Sequence, residues 1–270
     1  MNVALELLDR DRILAELTDA ARANLSRLEI YPVLDSTNNY LLAKVGADWP
    51  SGAVCLAEQQ QAGRGRQGRS WLSPFAAGLA GSLLWRFPVS AAALSGLSLA
   101  TGIAVARALR QIGVAEVGLK WPNDVGWRGR KLGGILLESG GKAGAFFVVA
   151  GIGLNVALPK SEATAIDQPW VDLAEILGAD RISRNSLAAL LISGLIEAFL
   201  RFQQDGFADL AAEWASFDQV AGQPVRLNLP HATVTGIARG VDATGALLLE
   251  TAEGRITPYI GGEISLRIEP

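Results

Sequence analysis

Seven consecutive positions, Gly63-Arg64-Gly65-Arg66-Gln67-Gly68-Arg69, hold three glycines and three arginines, a composition suited to gripping an anion. Glycine lets backbone N–H groups approach a ligand closely and tolerates φ > 0. Concave backbone of this kind binds phosphate through its amides, and arginine adds fixed charge and a bidentate fork. No Asp or Glu occurs between Gln59 and Ala115, so the positive field of the segment is locally unopposed. Gly63, Gly65 and Gly68 also satisfy G-x-G-x-x-G, but a dinucleotide site needs a helix directly after the glycines and an acid about 20 residues on. Pro74 disfavours that helix, and the next acid after Glu58 is Glu116. A solvated basic loop, or an arginine-glycine segment that binds nucleic acid, remains open on these residues alone.

Further blocks follow in order. Asp35-Ser36-Thr37-Asn38 lies upstream. Lys120-Trp121-Pro122-Asn123-Asp124, Lys131-Leu132-Gly133-Gly134-Ile135 and Gly151-Ile152-Gly153-Leu154-Asn155 lie downstream, and Gly261-Gly262-Glu263-Ile264-Ser265-Leu266-Arg267 closes the series. Together these blocks, from about Leu34 to Arg267, resemble the biotin protein ligases, which join biotin to the carrier protein of biotin-dependent carboxylases.

The resemblance implies activation of biotin with ATP and Mg²⁺ to biotinyl-5′-AMP, then transfer to a lysine of the biotin carboxyl carrier protein of acetyl-CoA carboxylase. It assigns Lys131, Arg66 and Asp124 to catalysis, with Asp124 either orienting or deprotonating the acceptor lysine. Ser36, Thr37, Asn38, Gln60, Arg64, Gly65, Arg66, Lys131 and Gly134 would bind biotin. Arg64, Arg66, Lys131, Asn155, Trp170 and Arg267 would bind ATP. Without the resemblance, Lys131 reads as a surface lysine at a hairpin end, Ser36 and Thr37 as helix caps, and Trp170 as one of seven tryptophans that pack. No metal site is expected in the protein itself, because Mg²⁺ enters such sites on the phosphates. A lipoate or related acyl-acid ligase is the nearest alternative.

Composition narrows the field independently. The chain has 270 residues, half of them apolar, with one cysteine (Cys55), one histidine (His231) and a net charge of −3. An internal disulfide is impossible, a Cys/His zinc site lacks ligands, and His-dependent nucleophilic catalysis would rest on a histidine read here as a turn residue. No Walker-type loop occurs. Apolar runs such as Ala91 to Ala106 are interrupted and short of the roughly 20 residues of a membrane span, and no signal peptide is visible, so a cytoplasmic protein is expected. Met1 to Glu29 carries six acids and four arginines, the wrong sign for phosphate contacts, so no DNA binding is expected.

The chemistry needs a frame to hold it. The spacing predicts one helix over 3–23 and others over Thr37–Val45, Ala91–Ile112 and Asn185–Gln204, the last capped by Asn185. Strands are expected at 53–57, 81–87, 117–121, 133–138 and 146–152. This is an α+β fold, a mixed sheet covered by helices over 1–217, which the resemblance likens to class II synthetases. Short strands at 224–229, 233–239, 246–251 and 264–268 predict a C-terminal β-barrel over 218–270, SH3-like by the same resemblance. Residues 159–170 have no clean period and read as a functional loop. A strand edge near Phe146 to Ala150 offers pairing between subunits, and a monomer or homodimer is compatible with the sequence.

Overall fold

The computed structural model describes residues 6–47, 49–142, 145–261 and 264–268. The beginning of the expected first helix, and Gly262 and Glu263 of the last motif, lie outside the described residues. Where one helix was expected near the N-terminus there are two, α1 (Arg10–Ala15) and α2 (Asp19–Asn24). Asp9 accepts from the Arg12 N–H, and Thr18 accepts from the Ala21 N–H. Each side chain offers the backbone a cap in place of continued helix, so the apolar period runs through a break.

A seven-stranded mixed sheet has the order β1 (Arg27–Leu34), β2 (Ala53–Gln60), β3 (Gly78–Phe87), β7 (Ala145–Asn155), β6 (Arg130–Lys142), β5 (Asp124–Trp127), β4 (Val117–Lys120). Only the β1–β2 pair is parallel. β1 was missed because Pro32 demotes a strand pattern; it sits at the sheet edge, where proline is tolerated. Phe146 to Ala150 is not an edge. β7 runs between β3 and β6 with full ladders on both sides, so it has no unpaired groups to offer another subunit.

Period-two alternation along β7 sorts its side chains onto two faces. Val148, Ala150, Ile152 and Leu154 join the main core beneath α4 (Leu97–Gln111) and α6 (Arg184–Asp205). Val149 faces a smaller core with Leu41 of α3 (Thr37–Val45). The expected helix over Ala91–Ile112 is broken: Ala91–Leu94 forms a 3₁₀ turn, and Gly96 at φ 80° precedes α4. A Cβ at Gly96 would lie 2.5 Å from the Phe207 ring. Ser183, not Asn185, caps α6. Asn185 instead donates to the Leu7 carbonyl and accepts from the Asp9 N–H. By length and composition alone the stretches Ala91–Gln111 and Arg184–Asp205 would pass as membrane spans, but the first is broken at Gly96 and the apolar windows of both are 61% buried inside the protein, packed on each other and the sheet.

After the short helices α5 (Leu173–Leu177) and α7 (Ala211–Ala215), the remaining strands form an antiparallel sheet of order β11 (Ile256–Tyr259), β10 (Leu247–Glu250), β9 (Thr233–Val241), β8 (Pro224–Asn228), β12 (Ser265–Ile268). β11 was not expected. His231 lies exposed in the β8–β9 turn. Val225, Leu227, Ala238, Leu247 and Leu249 belong to the main core, and Trp121 Nε1 donates to the Gly245 carbonyl at 3.2 Å. The small sheet is thus packed against the large one.

Candidate active site

One cleft of about 530 Å³ opens on the α3 face of the large sheet, bounded by the start of α3, the arginine-glycine loop, the glycines of β6 and β7, and the loop ending at Trp170. Of the residues singled out in the sequence, Ser36, Thr37, Asn38, Gln60, Arg64, Gly65, Arg66, Lys131, Gly134, Asn155 and Trp170 all line it.

The α3 end is a closed polar network. Ser36 caps the helix, accepting from the Asn39 N–H. The Thr37 N–H and hydroxyl donate to Gln60 Oε1 at 2.9 and 3.1 Å, which fixes the amide's orientation. Ser82 of β3 is 2.7 Å from the Thr37 hydroxyl and donates to Asn38 Oδ1 at 2.5 Å. Asn38 Nδ2 donates to Glu138 Oε2 at 2.8 Å. A Cβ on Gly151 would fall 2.3 Å from Asn38 Oδ1, so that glycine makes the room the network occupies. Sequence reasoning passed over Ser82, because a lone serine in an apolar strand carries no local signal.

The arginine-glycine loop is a tight turn. The Gly65 N–H donates to the Arg69 carbonyl and the Trp71 N–H to the Gly63 carbonyl, at 2.7 and 2.8 Å. Gln67 and Gly68 both take positive φ, 57° and 71°. Arg64 reaches Asn39 Oδ1 at 2.6 Å and Glu138 at 2.7 Å. Arg66 turns the other way, donating to Asn123 Oδ1 at 3.1 Å and to the Ile264 carbonyl of the small sheet at 3.0 Å. Burial and the neighbouring Arg69 charge depress the Arg66 pKa, against the opposing pull of Asp124. Arg69 is exposed but also lines the cleft, its Nε donating to the Arg66 carbonyl at 3.3 Å.

Trp71 is the main residue the sequence reading missed as a site element. Its indole lies on the floor made by the cross-strand pair Gly134 and Gly153. A Cβ at Gly153 would stand 2.5 Å from Trp71 Cε2, and one at Gly134 would stand 3.6 Å from the same ring. The two glycines of Gly151-Ile152-Gly153 therefore serve separate neighbours, Asn38 and Trp71. A bulky aromatic just after the loop was a visible signal that received no weight.

Lys131 enters where the β5–β6 ladder shifts register between Val125 and Gly126. Its Nζ is 2.6 Å from Asp124 Oδ1 and 5.9 Å from the Trp71 ring centre. Burial lowers the Lys131 pKa, and the adjacent Asp124 opposes that shift. Asp124 is not on the cleft wall but stands behind Lys131, and Lys120 is 3.0 Å from its other oxygen. Burial raises the Asp124 pKa, yet the two lysines outweigh it and hold the carboxyl below its ordinary value. The Lys131 N–H donates to the Pro169 carbonyl and the Val171 N–H to the Lys131 carbonyl, both at 2.9 Å, so the loop ending at Trp170 is tied to the start of β6. Asn155 Nδ2 donates to the Val171 carbonyl at 3.0 Å and secures the foot of the same loop.

Arg267 is not brought to the cleft. It lies exposed on β12 opposite Arg226, and its Nη1 contacts the Leu266 carbonyl at 3.4 Å. Strand alternation turns that side chain away from the wall, which the motif alone did not reveal. Among the described residues no cluster of three or more acids, histidines or cysteines could hold a metal, and the only carboxylate on the cleft wall is Asp167.

Residues 30–155 match the Biotin/lipoate A/B protein ligase family, and residues 220–267 match the Biotin protein ligase C terminal domain. The bifunctional ligase/repressor BirA of Escherichia coli K12 is 44% identical over 97% of this chain and 79% of its own length. The biotin–[acetyl-CoA-carboxylase] ligase of Mycobacterium tuberculosis is 36% identical over 96% of this chain and 99% of its own. The Aquifex aeolicus biotin protein ligase in complex with biotin and ATP superposes with a TM-score of 0.75 at 31% identity, covering 91% of this chain and all of that one. With these relatives matched along nearly its whole length, and with an arginine-glycine loop, a buried lysine and a polar helix end converging on one cleft, the chain belongs to the biotin protein ligase family.

Proposed function

We propose that this protein is an ATP-dependent biotin protein ligase that forms biotinyl-5′-AMP and then biotinylates a lysine of the carboxyl carrier protein of acetyl-CoA carboxylase. The observation that carries the reading is a single cleft lined by the cations Lys131, Arg64 and Arg66 and by the polar network of Ser36, Thr37, Asn38 and Gln60, which Arg64 joins through Glu138. An apolar ring system with a polar edge fits between a few fixed donors and acceptors and a flat aromatic floor, here Trp71.

In the first half-reaction a biotin carboxylate oxygen attacks the α-phosphorus of ATP, the bond to the β-phosphate breaks and pyrophosphate leaves. An anion must approach a polyanion, so catalysis is mainly positioning and electrostatic stabilisation. Lys131 is the buried cation placed to neutralise the meeting oxygens, and the Gly63–Gly68 amides with Arg64 and Arg66 grip the phosphate. Mg²⁺ would supply further charge neutralisation; the described residues offer no acidic cluster to cage it, so it would enter on the phosphates. In the second half-reaction a deprotonated carrier lysine attacks the acyl carbon and AMP departs with the phosphate oxygen. A free lysine has a pKa of about 10.4 and must lose its proton first. Asp124, anionic, off the cleft wall and held on both oxygens by lysines, acts through Lys131 rather than as the base for that amine.

We assign residues 1–217 to the catalytic unit and 218–270 to the C-terminal SH3-like unit, and place the protein in the cytoplasm, in keeping with its one free, buried cysteine. ATP–pyrophosphate exchange measured with biotin, lipoate and octanoate tests the reading. Exchange should depend on biotin; exchange supported by lipoate or octanoate and not by biotin would replace it with the acyl-acid alternative.

A further inference from the structure

Lys120 does not line the cleft. It ends β4, and the β4–β5 register places it directly opposite Asp124. Lys120 Nζ is 3.0 Å from Asp124 Oδ2 while Lys131 Nζ is 2.6 Å from Oδ1, with side-chain exposures of 23, 12 and 16% for Lys120, Asp124 and Lys131. One carboxylate therefore sits between two largely buried lysines, one facing ligand and one behind.

We infer, resting on the ligase reading above, that Lys120 is a positioning residue for adenylate formation: it holds the second oxygen of Asp124 so that Lys131 can be given over to the incoming carboxylate and phosphate without stranding a buried anion. A lone buried carboxylate is costly, and one that loses its partner either takes up a proton or draws the partner back. Lys131 is wanted by two anions, Asp124 and the ligand. With Lys120 in place, Asp124 stays neutralised whichever way Lys131 turns. Without Lys120, every turn of Lys131 toward the ligand leaves Asp124 facing only the more distant Arg66. The other charges at this point are Arg66, which acts on Asp124, and Arg69, which acts on Lys131; both belong to the ligand-gripping loop, so neither is free to replace Lys120 once ligand binds.

Single-turnover formation of biotinyl-AMP tests this with the full chain, wild type and Lys120→Met, across the neutral to mildly acidic range. The expected result is a loss of about tenfold or more in the variant at neutral pH, the effect of an adjacent opposite charge. That loss should shrink as pH falls, because a proton can then neutralise Asp124 in place of Lys120. Lys120→Arg should restore most of the rate. In an Asp124→Asn background, Lys120→Met should cause little further loss, since no anion remains to be compensated. A wild-type rate in Lys120→Met, or a defect independent of pH that persists in the Asp124→Asn background, overturns the inference. Lys120→Gln, which keeps a donor on Asp124 without the charge, is the second variant should the methionine protein melt below the assay temperature; if both unfold, the residue is structural and the inference falls. A wild-type protein that forms no biotinyl-AMP refutes the ligase reading instead, so the two failures are distinguishable.

Discussion

Gly153→Ala isolates the packing of the cleft floor. The backbone at Gly153 tolerates alanine, since it is not among the positive-φ glycines, but the new Cβ would stand 2.5 Å from Trp71 Cε2. Carbon atoms settle at about 3.5–4.0 Å, so the indole must lift by about 1 Å. The Trp71 N–H is bonded to the Gly63 carbonyl, and the sheet below does not yield, so the ring moves into the space meant for ligand. Overpacking of this kind costs about 1–3 kcal/mol, which corresponds to about a 5- to 150-fold loss if it falls on the ligand-bound state. Gly134→Ala is the internal control: its Cβ would be 3.6 Å from the same ring and from the Lys131 side chain, an ordinary contact. The assay is biotinyl-AMP formation over an ATP titration for both variants. Gly153→Ala should lose activity by at least about fivefold with its melting temperature little changed, and Gly134→Ala should lose markedly less. Equal and near-wild-type activity in both would refute the placement of Trp71 on the Gly134–Gly153 floor.

Three further outcomes are expected. Arg66→Gly removes the link from the loop to Asn123 and Ile264, a charge-assisted contact worth about 1.5–3 kcal/mol; biotinyl-AMP should dissociate faster and label lysines of a bystander such as albumin, and an unlabelled bystander with unchanged dissociation contradicts this. Asp124, whose pKa is held below the ordinary 3.8, contributes stability that is fully present above that value and lost as pH falls through the folded-state pKa; urea melts of Asp124→Asn should therefore show a shallower loss of stability below about pH 4 than wild type, and parallel curves would argue against the shift. Arg184 and Glu58 form an ion pair at 2.7 Å with side chains only 4 and 5% exposed, so Arg184→Met strands a buried carboxylate and should cost about 3–5 kcal/mol in urea unfolding, with Glu58→Gln in the same chain recovering part of it; a loss below about 1 kcal/mol would show the pair to be dispensable.

What could be read from the sequence was whatever is encoded locally. The boundaries of α3 came out as expected because a serine cap and an apolar period coincide at Ser36 to Val45. The arginine-glycine loop stood out by composition alone, whereas Lys131, a surface lysine at a hairpin end on its own residues, was singled out only through the family resemblance. Breaks were harder. Thr18 and Gly96 interrupt apolar periods that continue on either side, and the decisive partners, the Ala21 N–H and the Phe207 ring, are a cap and a contact distant in sequence. Ser82 and Trp71 were given no place in the site, and Gly151 and Lys120 stood in motifs without a role of their own; each matters through neighbours distant in sequence. Arg267 is the reverse case: its motif pointed to the site, while on β12 it lies outside the cleft wall.

In the proposed reaction one buried cation, Lys131, carries the charge neutralisation that lets biotin attack ATP in this cleft. Single-turnover formation of biotinyl-AMP by Lys131→Ala, with circular dichroism to establish that the variant is folded, tests it most directly. Loss of one preorganised electrostatic donor costs on the order of 3 kcal/mol, so the account predicts a rate lower by about two orders of magnitude. A folded Lys131→Ala protein that forms biotinyl-AMP at close to the wild-type rate would contradict it.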